Sequence, residues 1–171
     1  LSVVSSITHV MLQEKKSISE TLEEINHYLN FRCDGVELVT FFISIYNKKT
    51  KEFEYINAGH RTPILIKKDT GELSFLEGKA SILGALPNVD YSSSTLTFNR
   101  GDEMILYTDG LVEIYNDNTG EDYNDETLMR TISESIDLEI EDKLNSIIEK
   151  INLFKNGSIR DDIIIIGIEV L

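Results

Sequence analysis

Asp109 stands where the apolar run Met104–Tyr107 gives way, through Thr108, to Gly110. A carboxylate directly after a rigid strand is held in a fixed position, and a glycine behind it permits a sharp turn or the close approach of a ligand. Asp-Gly is also a common turn dipeptide, so a purely structural turn stands beside the metal-ligand reading. Asp161-Asp162 forms a second carboxylate pair just before Ile163–Ile166. Neighbours on a strand face opposite sides, so at most one of the two points into a given site. The plainer reading is a solvated pair capping the strand's start; the functional one is an inward ligand and an outward carboxylate partnered by Arg160. Two carboxylates from distant chain positions, each at a strand end, suit a hard cation such as Mg²⁺ or Mn²⁺. Two such ions side by side activate water for in-line attack on a phosphoryl group.

Asn57-Ala58-Gly59-His60 follows the apolar stretch Phe53–Ile56. His60 can act as a general acid or a ligand, or simply hold the strand end by a hydrogen bond. His9 and His27 lie in helical segments and form no His-x-x-x-His pair. The lone Cys33 gives neither a disulfide framework nor a thiolate cluster, which disfavours zinc and fits a half-buried thiol in a reducing compartment. Gly-x-Ser-x-Gly, P-loop and Gly-x-Gly-x-x-Gly patterns do not occur, which leaves serine-hydrolase, NTPase and dinucleotide readings without support.

The formal net charge is −14, from 30 acidic and 16 basic residues. That field repels a phosphate backbone, so nucleic acid is a poor partner. No apolar run is long enough to span a bilayer, and the N-terminus has no basic region ahead of its apolar stretch, so a cytoplasmic protein is expected.

These residues need elements to position them. Val3, Val4, Ile7, Val10 and Met11 recur at helical spacing. Ser17-Ile18-Ser19-Glu20 is a capping box that opens a second helix with Leu22, Ile25, Tyr28 and Leu29 on its inner face. Asp34-Gly35 reads as a helix-to-strand turn. Val36–Tyr46 pairs with Glu52–Asn57, Thr62–Lys67 with Glu72–Leu76, and Tyr91–Phe98 with Glu103–Thr108, as three hairpins. Asn116–Asn124 reads as a polar loop. Helices follow at Asp125–Ser135 and Ile140–Phe154, the latter with Leu144, Ile147, Ile148, Ile151 and Phe154 on one face and Gly157 as its stop. The strand Asp162–Val170 ends the chain, and its run Ile163–Ile166 predicts burial on both faces. Residues 1–171 read as one α+β domain.

Asn57-Ala58-Gly59-His60, Leu83-Gly84, Gly101-Asp102 through Tyr107-Thr108-Asp109-Gly110-Leu111-Val112-Glu113, and Asp161-Asp162 occur together and in order. In this the chain resembles the SpoIIE/RsbU-like branch of the PPM metal-dependent phosphatases, and Val39-Thr40-Phe41 fits the first strand of the matching part. The resemblance implies an αββα sandwich of two antiparallel sheets flanked by helices. It implies hydrolysis of phosphoserine or phosphothreonine by metal-activated water, with a two-metal Mn²⁺ or Mg²⁺ site in the complete domain. By the same carry-over Asp109 and Asp161 are metal ligands, while Thr108, Gly110, Asp162, Asn57, Gly59 and His60 shape the site. The implied substrate is a phosphorylated STAS-domain anti-anti-sigma factor, and the implied neighbour an upstream sensor or receiver domain. The first metal motif and the first strands of such a domain are expected upstream of Leu1, which would leave this chain a weak Mn²⁺ binder with little or no phosphatase activity. Uncovered sheet edges would then favour a homodimer. A non-catalytic signalling or dimerisation module with the same fold is the alternative, and a metal-independent hydrolase using His60 a third reading.

Overall fold

A computed structural model describes residues 2–32, 37–155 and 161–171. Cys33, Asp34-Gly35, Val36, Gly157 and Arg160, and the expectations that fall on them, lie outside the described residues. The helices are α1 (Ser2–Gln13), α2 (Ile18–Arg32), α3 (Asp125–Glu134) and α4 (Ile140–Phe154). The strands are β1 (Phe41–Asn47), β2 (Glu52–Ala58), β3 (Ile64–Ile66), β4 (Leu73–Phe75), β5 (Ser94–Thr97), β6 (Glu103–Tyr107), β7 (Ile114–Asn116), β8 (Glu121–Tyr123) and β9 (Ile165–Glu169). They fall into two compact units: Leu1–His60 with Glu77–Phe98, and Arg61–Leu76 with Asn99–Leu171.

The first unit packs α1 and α2 on a sheet of order β1-β2-β5, antiparallel throughout. The expected capping box forms: Ser17 N donates to Glu20 Oε2 at 2.9 Å and Glu20 N to Ser17 Oγ at 3.1 Å. Leu22, Ile25 and Leu29 on α2 are buried with Val4, Ile56, Ala58 and Leu83. Ahead of α2, α1 ends in a Schellman cap, Lys16 N donating to the Met11 carbonyl while Lys15 takes the left-handed conformation (φ 58°). Asn26, buried on α2, bolts a loop to the helix by accepting from Gly84 N at 2.8 Å and donating to the Leu86 carbonyl at 2.9 Å.

The strand predicted from Val36 starts only at Phe41. Val39 and Leu83 instead exchange two backbone hydrogen bonds of 3.1 Å, which draws the preceding residues toward Leu83-Gly84. Gly84 has φ 85°, and a Cβ there would collide with the Glu37 carbonyl oxygen, so this contact needs glycine.

The second unit packs α3 and α4 on an antiparallel sheet of order β4-β3-β6-β9 and carries the small hairpin β7-β8. Its core joins Ile64, Ile105 and Tyr107 of the sheet to Leu128, Ile132, Ile147 and Ile151 of the helices. Antiparallel sheets with helices, the expected α+β class, are therefore present in both units.

Four local expectations are corrected. Tyr91–Phe98 and Glu103–Thr108 do not form a hairpin: β5 pairs with β2, whereas β6 pairs with β3 and β9. The buried Asp102 carboxylate accepts from Asn99 N (2.8 Å), Lys68 N (3.1 Å) and Lys67 Nζ (2.8 Å), which fixes the turn to the end of β3. Asn116–Asn124 is not a plain loop but contains the β7-β8 hairpin, turned by Gly120 at φ 72°. Ile163–Ile166 is not buried on both faces, because β9 is a sheet edge with α4 on one side. Gly167 lets Ile140 and Leu144 approach there, while Ile164 and Ile166 are 55% and 51% exposed. Ile148 lies outside the buried stripe of α4, exposed while Ile147 and Ile151 are buried.

Candidate functional site

β6 is a buried apolar strand whose side chains fix its last residues. Thr108 continues it in extended conformation, and Asp109–Leu111 then make one 3-10 turn, with Leu111 N donating to the Thr108 carbonyl and Val112 N to that of Asp109. Asp109 is thus presented, exposed, at a strand end, as its spacing predicts.

The neighbouring β9 enters beside it. Thr108 N donates to the Ile164 carbonyl at 3.1 Å, Ile164 N donates to Thr108 Oγ1 at 3.0 Å, and Thr108 Oγ1 donates to the Asp162 carbonyl at 2.9 Å. Gly110 completes the approach. A Cβ on it would lie 2.6 Å from the Asp162 carbonyl oxygen and 3.2 Å from that of Asp161, far inside contact distance. Residues 108–110 and 161–164 are therefore laced together, and two aspartate-bearing segments 52 residues apart in sequence share one edge. Asp109 Oδ1 accepts from Gly110 N (3.2 Å) and Asp161 Oδ1 from Asp162 N (2.8 Å), which orients each carboxylate against its own backbone.

Asp161 also lines a cavity of about 430 Å³ with Gly110, Val112, Glu113, Asp122 and Asn124. Three carboxylates in one cavity wall favour a cation over an anion. Among the described residues no group of three or more His, Cys, Asp or Glu side chains converges as a metal cage. Carboxylate oxygens suit a hard cation, but Asp109 is not among the residues that line this cavity.

A network that sequence reasoning missed braces the far side of this turn. Arg61 Nη2 lies 3.2 Å from Glu113 Oε1 and Nη1 3.6 Å from Asp125 Oδ2, and Tyr107 OH donates to Asp125 Oδ1 at 2.8 Å. Burial, reinforced by the Asp125 carboxylate, holds the Tyr107 phenol well above its ordinary pKa, so it remains a donor. Glu113 closes the signature segment, but its partner Arg61 is far away in sequence, and no local pattern announces the pair.

Asn57, Gly59 and His60 lie in the first unit, at the end of β2. Gly59 has φ 74° and no room for a Cβ beside Ile82, so the small residue serves backbone approach. Asn57 is 2% exposed, with neither amide atom hydrogen-bonded among the described residues.

This architecture is that of the PP2C-type protein phosphatase domains. The chain is similar to the SiaA-PP2C domain of Pseudomonas aeruginosa with a TM-score of 0.80, at 14% identity, over 96% of this chain and 66% of that one. It is similar to the SpoIIE phosphatase domain of Bacillus subtilis, presoaked with Mn, with a TM-score of 0.66, at 15% identity, over 98% of this chain and 73% of that one. The chain belongs to the SpoIIE family: the profile of Stage II sporulation protein E matches residues 1–171. Phosphoserine phosphatase RsbU of Bacillus subtilis (strain 168) is 27% identical over 95 residues, covering 56% of this chain and 28% of RsbU. The match therefore spans less than a third of that relative. No helix among the described residues is long and apolar enough to cross a membrane.

Proposed function

We propose that this chain forms the larger part of a metal-dependent phosphatase acting on phosphoserine or phosphothreonine of a signalling protein. Asp109 and Asp161 contribute ligands to its Mn²⁺ or Mg²⁺ ions. The observation that carries this reading is the lacing of Thr108 and Gly110 to the backbone of 161–164, which sets the two aspartates at one sheet end. RsbU, a phosphoserine phosphatase, supports the substrate class, and the Mn-presoaked SpoIIE domain supports the choice of ion.

A bound divalent cation supplies an activated water and neutralises charge developing on a phosphoryl group. The chain's own residues do the positioning. Thr108 and Gly110 fix the spacing of the two segments, Asp162 passes its carbonyl to Thr108, and Asn57, Gly59 and His60 shape the end of β2. The substrate is a phosphorylated STAS-domain anti-anti-sigma factor or a similar phosphoprotein of a partner-switching pathway, and an upstream sensor or receiver domain controls the activity, in the cytoplasm.

One observation favours the alternative of a non-catalytic module: among the described residues no three His, Cys, Asp or Glu side chains converge as a metal cage. Phosphoserine-peptide hydrolysis in millimolar Mn²⁺ separates the readings. Slow turnover that is abolished by EDTA and by Asp109→Ala supports the phosphatase. Metal-independent turnover lost in His60→Ala supports the third reading, and a folded protein with neither turnover nor Mn²⁺ binding supports the module.

A further inference from the structure

We propose, resting on the phosphatase reading, that Arg61 binds the phosphoryl group of the substrate and that Glu113 and Asp125 hold its guanidinium ready at the rim of the acidic cavity. The cavity wall repels the group it would have to admit. Glu113, Asp122 and Asp161 line it, no lysine or arginine does among the described residues, and the chain carries a net charge of −14. A phosphomonoester dianion is disfavoured there unless a cation meets it. Arg61 is placed to do so. Its Nη2 donates to Glu113 Oε1 at 3.2 Å, and its Nη1 lies 3.6 Å from Oδ2 of Asp125, the residue after Asn124 of the cavity wall. All of these residues belong to the second unit.

The guanidinium is held but not used up. It carries five N–H donors in a planar fork. One bonds Glu113, the separation from Asp125 is that of an ion pair rather than a hydrogen bond, and the other donors meet no acceptor among the described residues. The Arg61 side chain is 35% exposed, and those of Glu113 and Asp125 are 60% and 43% exposed. Pairs this exposed hold weakly. The fork can therefore exchange one carboxylate oxygen for two phosphoryl oxygens, a bidentate and stronger contact. Water solvates the Glu113 carboxylate left behind. Asp125 stays in place, because Tyr107 OH donates to its Oδ1 at 2.8 Å, so the guanidinium remains tethered on that side.

The test titrates the full chain, in Mn²⁺, with a labelled peptide bearing the non-hydrolysable phosphonate analogue of phosphoserine and with its serine counterpart, read by fluorescence anisotropy. The parent chain is expected to bind the phosphonate peptide about tenfold or more tighter than the serine peptide. Arg61→Gln is expected to weaken phosphonate binding about tenfold, and Arg61→Lys, which keeps the charge without the fork, about threefold. Glu113→Gln frees the guanidinium and is expected to tighten phosphonate binding about threefold, a gain that disappears when Arg61→Gln is added. A merely bracing pair would instead weaken binding in both single variants alike. Circular dichroism, and Mn²⁺ binding by electron paramagnetic resonance, are expected to be unchanged in Arg61→Gln; if that variant does not fold, Arg61→Lys carries the same comparison. Full phosphonate binding by the Arg61 variants, weakening by Glu113→Gln, or loss of Mn²⁺ binding in a folded Arg61 variant overturns the proposal and leaves the phosphatase reading standing. A parent chain that binds both peptides equally contradicts both.

Discussion

Thr108 and Ile164 are bonded to each other twice, the backbone N–H of Thr108 to the Ile164 carbonyl (3.1 Å) and the N–H of Ile164 to the Thr108 hydroxyl (3.0 Å). The second bond, and the one from the same hydroxyl to the Asp162 carbonyl (2.9 Å), depends on the side chain alone. Thr108→Val keeps the shape and removes both. It is expected to lower stability by about 1 kcal/mol in urea unfolding and to weaken Mn²⁺ binding in calorimetry, while Thr108→Ser retains both properties.

Gly110→Ala places a methyl 2.6 Å from the Asp162 carbonyl oxygen. The two laced segments must part to admit it. A loss of about 1–3 kcal/mol is expected, as for other overpacked sites, measured as a drop in the denaturation midpoint. Mn²⁺ affinity should fall in parallel.

Lys143 on α4 is 1% exposed, and its ammonium donates to Glu103 Oε1 (2.9 Å) on β6 and to the Leu138 carbonyl. Glu103 Oε2 also lies 2.9 Å from the nitrogen as an ion-pair contact, with no hydrogen-bond partner of its own among the described residues. Lys143→Met strands the carboxylate and is expected to cost about 3–5 kcal/mol. Adding Glu103→Leu should recover much of that loss, because the uncompensated charge is gone. The thermal midpoints of the two single variants and the double variant check this.

Tyr91 is fully buried with its hydroxyl unpartnered among the described residues, and burial pushes its pKa from 10.0 up to about 12. The folded state therefore holds its proton where the unfolded state releases it. The stability this contributes is full below pH 10.0 and is lost as pH rises through about 12. Tyr91→Phe should raise stability at neutral pH by about 1 kcal/mol and make the alkaline decline shallower, as read by denaturation between pH 7 and 11.

Local chemistry made much of this legible. Ser17 and Glu20 announce α2, and Asn124, whose side chain accepts from Thr127 N, opens α3 close to its expected start. Asp109 follows the end of β6 as expected, whereas β9 begins only at Ile165 and not at Asp162, so Asp161 lies ahead of the strand rather than at its end. Ladder partners were not legible. The turn Asn99–Asp102 has hairpin composition, yet Asp102 bonds to Lys67 and Lys68, and that choice depends on residues more than thirty positions away. The exposed face of β9 was hidden for the same reason: four consecutive isoleucines look alike whether one face is covered or two. The Arg61–Glu113 pair is likewise a product of folding.

The most direct test of the central claim is a Mn²⁺ titration by electron paramagnetic resonance of the intact chain, Asp109→Ala and Asp161→Ala. Weak but saturable binding to the parent protein, reduced about tenfold or more in each variant with circular dichroism unchanged, is the predicted result. Binding that either variant retains in full would contradict a site shared by the two aspartates.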